Sequence, residues 1–155
     1  MTVAAPSAPL TLTAGQRLAR GTCRALSAQG FVCVEELTLK PGLRVDVMAL
    51  GPAGEIWVVE CKSGPADFRA DRKWRGYLDW CDRFLWAVGP DFPAELLPDD
   101  SGLILADAFD AEILRPGPET RLAPARRKAL VHLFARHAAR RLQALRDPGF
   151  SGPVA

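Results

Sequence analysis

The sequence predicts a mixed α/β domain, α+β in its strand arrangement, with helices covering one central sheet. Three observations predict it. Apolar residues recur at helical spacing near both ends of the chain. Between them, three apolar runs with strand character are separated by the short turns Pro41-Gly42 and "GPAG". A fourth such run, "RFLWAVG", follows a helical stretch, so a crossover can return it beside an earlier strand. The order reads α-βββ-α-β, then ββ-α.

Each element has its own warrant. Residues 15–29, "GQRLARGTCRALSAQ", place Leu18, Ala25 and Leu26 on one helical face and Arg17, Arg20 and Arg24 off it, and Gly30 is a natural stop. "FVCVEELTLK", "LRVDVMAL" and "EIWVVECK" are strands whose short connections require an antiparallel meander. "SGPADFRADRKWRGYLDWC" is expected to be helical, capped by Ser63 or Asp67, with Phe68, Tyr77, Leu78 and Cys81 on its buried side. "FPAELLP" reads as a short helix or turn, and "GLILADAFDAEILRPG" as a hairpin. "APARRKALVHLFARHAARRLQAL" is a long basic helix with Leu130, Phe134, Ala138, Leu142 and Leu145 as its apolar stripe. Residues 1–14 are expected to form a flexible arm, 15–146 a single domain and 147–155 a frayed end.

Composition narrows the class. A chain of 155 residues, 48% hydrophobic and 25% charged, can bury one core of its own. A net charge of +2 does not by itself announce a nucleic-acid binder. Of the 20 basic residues only Lys40, Lys62, Lys73 and Lys128 are lysines. That arginine bias suits bidentate phosphate binding, but genome composition is the weightier explanation. Cys23, Cys33, Cys61 and Cys81 form no C-x-x-C pair, have no histidine at zinc-ligand spacing and sit in apolar surroundings, so buried free thiols in a reducing cytoplasm are expected. No apolar run approaches the roughly 20 residues of a membrane span, and the N-terminus lacks the features of a signal peptide.

The chemistry concentrates in "IWVVECKSG". Strand side chains alternate, so Ile56, Val58, Glu60 and Lys62 share one face, and the apolar start of both faces predicts a central strand. A three-residue turn centred on Ala53 sets Asp46 opposite Glu60 and Arg44 opposite Lys62. A two-residue turn at Pro52-Ala53 would set Asp46 opposite Val59 instead, but such turns favour other residues. A similar turn centred on Pro41 brings Glu36 level with Asp46. Adjacent carboxylates repel, and one of them takes a raised pKa. A hard divalent cation, Mg²⁺ or Mn²⁺, removes that conflict with one or two carboxylates, a backbone carbonyl and water. Such an ion on a phosphodiester can polarise phosphorus and activate water. Lys62 can then stabilise the phosphorane or help deprotonate the water. The tripeptide alone is weak, because Glu-x-Lys arises by chance about 0.2 times in this composition. A solvated Glu60–Lys62 salt bridge is the bland alternative, and Asp46 is what weighs against it.

"RVDVMAL…GEIWVVECKSG" resembles the PD-(D/E)XK nuclease superfamily, and the stretch through "ADFRADRKWRGYLDWCDRFLWAV" resembles its bacterial MmcB-like DNA-repair family. The resemblance covers about residues 15–115. It implies a restriction-endonuclease-like αβββαβ core, here followed by a hairpin and a basic helix. It implies that Asp46 and Glu60 bind the metal with the Cys61 carbonyl, and that Lys62 is the catalytic lysine. The first helix carries no acid where the superfamily often has a Glu, so Glu36, or less favourably Glu35, is the expected substitute.

Several basic residues are candidates for the nucleic-acid surface. Arg69 and Lys73 follow the strand's catalytic end, and Arg136 and Arg140 lie on the last helix, which holds no acid before Asp147. Solvated i,i+4 pairs are the competing explanation. Trp74 and Trp80 are expected in the core rather than stacked on bases, and His132 and His137 have no ligand spacing. The expected function is a metal-dependent DNA endonuclease or DNA-repair nuclease. A non-catalytic DNA-binding or repair-partner module, or an RNA-directed nuclease, is the alternative. A homodimer or a repair-protein partner fits either reading.

Overall fold

The computed structural model describes residues 11–149, so most of both expected terminal arms, residues 1–14 and 147–155, lies outside the described residues. Its centre is a six-stranded sheet. The strands are β1 (Val32–Lys40), β2 (Leu43–Leu50), β3 (Ile56–Lys62), β4 (Arg83–Val88), β5 (Gly102–Ala106) and β6 (Ala111–Arg115), and their spatial order follows the sequence. β1, β2 and β3 form the expected antiparallel meander. β4 runs parallel to β3, β5 runs parallel to β4, and β6 closes an antiparallel hairpin with β5. The α/β class and the crossover to β4 are as expected.

Two cores flank the sheet. Helix α1 (Ala14–Ala28) lays Leu18, Ala19 and Leu26 against Val47, Val59, Leu85 and Ile104. On the opposite face, helix α3 (Pro124–Arg146) and a 3-10 helix (Trp74–Trp80) place Leu130, Phe134, Trp74 and Tyr77 over Val58, Phe84 and Trp86. β3 is covered on both sides, which is why its apolar residues do not alternate with polar ones. α1 is started by a capping box. Thr13 Oγ1 accepts the Gln16 N–H at 3.2 Å, and Gln16 Oε1 accepts the Thr13 N–H at 2.9 Å.

Three expectations need correction. The stretch 63–81 is not one helix: α2 covers only Pro65–Ala70, Asp71 is extended, and the 3-10 helix follows. Neither Ser63 nor Asp67 caps it, because the cap position is Gly64. The break has a local cause. Asp71 Oδ1 accepts the N–H groups of Lys73 (2.8 Å) and Trp74 (3.1 Å), replacing helical carbonyls. That turn swings Trp74 and Tyr77 onto the core and leaves Leu78 exposed. On α3, only Leu130 and Phe134 of the expected stripe are buried, while Leu142 and Leu145 are exposed. Cys23 and Cys33 are half-buried rather than buried, although all four cysteines are free.

The start of α3 is locked by Asp82. Its carboxylate accepts the Ile56 N–H (2.8 Å) and the Leu122 N–H (2.9 Å), and it receives both Arg127 guanidinium nitrogens at 2.7 Å. Burial alone would raise this carboxyl, but the Arg127 and backbone donors hold it down at about 2.

Candidate metal centre at the end of β2 and β3

The hairpin register puts Val47 opposite Val59, Met48 opposite Val58 and Leu50 opposite Ile56. One further step makes Asp46 level with Glu60, as the turn centred on Ala53 predicts. Ladder pairing stops before that step, and side chains take it over. Glu60 Oε1 accepts the Asp46 N–H at 3.0 Å, and Asp46 Oδ2 accepts the Cys61 N–H at 2.8 Å. Each carboxylate thus satisfies a backbone donor on the other strand. Arg44 and Lys62 are not paired among the described residues, because the strands have already parted. Arg44 is exposed, and its carbonyl accepts the Tyr77 hydroxyl at 2.8 Å.

The alternation of side chains also slips here. Leu43, Val45 and Met48 all belong to the core under α3, so the phase of β2 shifts by one residue at Asp46. β1 slips at the facing residue, since Val34 and Leu37 share that same core. The two slips match, so the β1–β2 register is the same on both sides of them: Glu35 opposite Val47, and Leu37 opposite Val45. Glu36, level with Asp46 as expected, takes a left-handed backbone with φ 54°. Such a conformation in a non-glycine residue costs on the order of 1 kcal/mol and concentrates at functional sites.

The electrostatics follow from burial. Glu60 is 5% exposed. Desolvation, then the neighbouring Asp46 charge, pushes its carboxyl up to about 9. Burial also raises Asp46, against the Cys61 N–H bond and the Lys62 charge. With Glu60 pushed up to about 9 and Asp46 raised as well, the pair retains a proton near neutral pH, which is the expected carboxylate conflict. Lys62 does not close a salt bridge with Glu60. Its ammonium lies 2.8 Å from Asp71 and 3.8 Å from Asp67. Burial would lower its pKa, but the Asp71 contact outweighs that and raises it, so Lys62 is a firm cation.

Two cavities flank the carboxylate pair. One, of about 520 Å³ on the α1 side, is lined by Asp46, Cys61, Glu35, Glu36, Gln16, Arg20 and Arg141 among others. The other, of about 440 Å³ on the α2 side, is lined by Glu60, Lys62, Asp67, Asp71, Arg72, Lys73 and Tyr77. The structure therefore places Asp46, Cys61 and Glu36 on the α1-side cavity and Glu60, Lys62 and Lys73 on the α2-side cavity, with the Asp46–Glu60 backbone bonds as the link between the two sets. Arg69, Arg136 and Arg140 are exposed and line neither cavity.

Sequence reasoning missed four residues at this site. Asp71, read as a surface pair, is the partner of Lys62 and the breaker of the helix. Arg72 lines the Lys62 cavity next to the chosen Lys73. Gln16 stands on the first helix where no acid was found. Arg141 arrives because α3 passes the edge strand β1, where His137 Nε2 approaches the Glu35 carbonyl at 3.3 Å. The Arg141 charge opposes the burial that raises Glu35. Neighbouring arginines on a helix cannot be ranked until the helix is placed against the sheet.

Residues 9–149 match the MmcB-like family, described as "DNA repair protein MmcB-like". The chain belongs to the MmcB-like family. This MmcB-like chain is also similar to a solved structure, the SPO1766 protein of unknown function from Silicibacter pomeroyi. Identity is 66%, the TM-score is 0.91, and the match covers 94% of this chain and 100% of the other. No curated protein matches the sequence. Among the described residues no helix is long and apolar enough to cross a membrane.

Proposed function

We propose that this MmcB-like protein is a DNA-repair nuclease of the PD-(D/E)XK type that hydrolyses phosphodiester bonds with Mg²⁺ or Mn²⁺. The observation that carries the reading is the Asp46–Glu60 pair, Glu60 buried and Asp46 half-buried. One oxygen of each carboxylate is engaged by a backbone N–H, and together they hold a proton that a divalent cation would displace. Among the described residues no three His, Cys, Asp or Glu side chains converge as a metal site. The donor set therefore does not suit a closed zinc centre. It would fit a hard cation held by two carboxylates, the Cys61 carbonyl and water; Glu36 lines the α1-side cavity with Asp46 but does not join the two carboxylates in a metal-holding group, so the expected Glu36 ligand is left out. When bound, the ion supplies Lewis-acid polarisation of the phosphate and activation of water.

The chain's own residues do the rest. Asp46 and Glu60 would hold the ion, and only through it the reacting phosphate, which bare carboxylates would repel. Lys62, a cation on the Glu60 side, would stabilise negative charge as it grows on the phosphate oxygens, and the Asp71 contact that raises its pKa favours this role over that of the base. Lys73, Arg69, Arg136 and Arg140 are exposed cations that would follow the DNA backbone away from the site. The family's DNA-repair description supports DNA as substrate.

The Lys62–Asp71 pair favours a second reading, a DNA-binding module whose lysine is already occupied. A Mn²⁺ cleavage panel over single-stranded, duplex, flapped and branched DNA, with an RNA arm, separates the two. Cleavage abolished by Asp46→Ala and by Glu60→Ala, with folding retained, supports the nuclease. Mn²⁺ binding by calorimetry without any cleavage supports the module. Neither cleavage nor Mn²⁺ binding overturns the metal centre.

A further inference from the structure

Phe109 is 68% exposed at the tip of the β5–β6 hairpin. An isolated exposed aromatic needs no explanation, but this one is built into place. Asp107 Oδ1 accepts the N–H groups of Phe109 (2.7 Å) and Asp110 (2.9 Å), and the Asp107 N–H closes the turn on the Asp110 carbonyl at 3.0 Å. The turn is pressed onto α1 at Gly21, where an added Cβ would stand 1.9 Å from the Asp107 carbonyl oxygen. Only glycine admits that approach. One residue earlier, Arg20 sets its guanidinium 5.8 Å from the centre of the Phe109 ring. Arg20 also lines the cavity that contains Asp46.

An aromatic face and a guanidinium, carried on a hydrogen-bonded turn and on the helix it packs against, form a surface for a flat π-system carrying a nearby negative charge. A nucleotide has both parts. A paired base in a duplex does not offer its face, whereas an unpaired base does. We propose that Phe109 and Arg20 form a stacking platform for an unpaired nucleobase next to the Asp46 cavity. The platform makes single-stranded or unpaired nucleic acid the preferred ligand class. As a substrate preference this rests on the nuclease reading; as a binding site it does not.

The test is anisotropy of a fluorescent oligothymidylate with full-length protein in EDTA, where no cutting occurs. Stacking on one aromatic contributes roughly tenfold in affinity or more. Phe109→Ala should weaken oligothymidylate binding by that factor, and Phe109→Trp should restore it. Binding to a duplex of equal phosphate number should not change. The salt dependence should be the same for wild type and Phe109→Ala, since no phosphate contact is removed, while Arg20→Ala should flatten it by about one counterion. An oligonucleotide with abasic sites should bind wild type as weakly as oligothymidylate binds Phe109→Ala. The proposal is overturned by wild type that does not bind the oligonucleotide, by an unchanged affinity in Phe109→Ala, by an equal loss on duplex, or by full rescue with Phe109→Leu. Discrimination at Phe109 in a protein that cuts nothing keeps the platform and removes the nuclease.

Discussion

Glu60→Gln should make the metal-free protein more stable at pH 8 while removing Mn²⁺-dependent cleavage. The glutamine mimics the protonated acid: its Oε1 can accept the Asp46 N–H, and its amide can donate to the Asp46 carboxylate. In the wild type the Glu60 carboxyl is pushed from 4.5 up to about 9 by burial and by Asp46. The folded state therefore binds a proton that the unfolded state has released throughout that window. Stability then falls as pH rises, by up to about 1.36 kcal/mol per unit. Between pH 5 and pH 8 the wild type should lose up to about 4 kcal/mol from this group, and Glu60→Gln should lose none of it. Urea unfolding of both proteins in EDTA at the two pH values measures the difference. Mn²⁺ should stabilise the wild type more at pH 8 than at pH 5, because it replaces the proton. Parallel stability losses in wild type and variant would refute the assignment of the proton to this pair.

Two further predictions concern what holds α3 in place. Asp82→Ala strands a buried cluster of backbone donors and Arg127, and should cost about 3–5 kcal/mol in urea unfolding at pH 7. In the wild type this carboxyl is held at about 2, below its unfolded value. Its roughly 2 kcal/mol contribution is therefore present above pH 4 and is lost as pH falls through about 2, so an acid titration of unfolding free energy should show the step in wild type and not in Asp82→Ala. Leu130→Ala should cost about 2–5 kcal/mol, because the side chain is fully buried. Leu145→Ala, although on the same expected stripe, should change stability by less than about 0.5 kcal/mol, because Leu145 is 80% exposed.

The two leucines mark the boundary between what periodicity can say and what it cannot. Helical spacing identified α3 and its apolar side, but the length of helix that meets the sheet depends on where β1 ends beneath it. Beyond Ala138 the stripe, Leu142 and Leu145, is exposed among the described residues. The same geometry decides that Arg141, rather than Arg136 or Arg140, reaches the cavity beside Asp46.

Periodicity and turn chemistry by themselves determined the α/β class, the meander, the crossover and the register that levels Asp46 with Glu60. The β2–β3 register is local, fixed by alternation and by the turn centred on Ala53, whereas at β1–β2 the turn holds only Pro41 and Gly42 and a slip between Thr38 and Lys40 restores the expected level of Glu36 with Asp46. The break at Asp71 was not legible, because Asp71 caps the turn with one oxygen while the other meets the buried Lys62, a partner that only the folded sheet brings to it. The slips at Glu36 and Asp46 were equally hidden, since each is tolerable only with the other on the facing strand. Those slips and the parting of the strands, both set by tertiary packing, decided that of two carboxylates marked by sequence as neighbours Glu60 would be buried and Asp46 half-buried, each clamped to the other's backbone with its pKa raised.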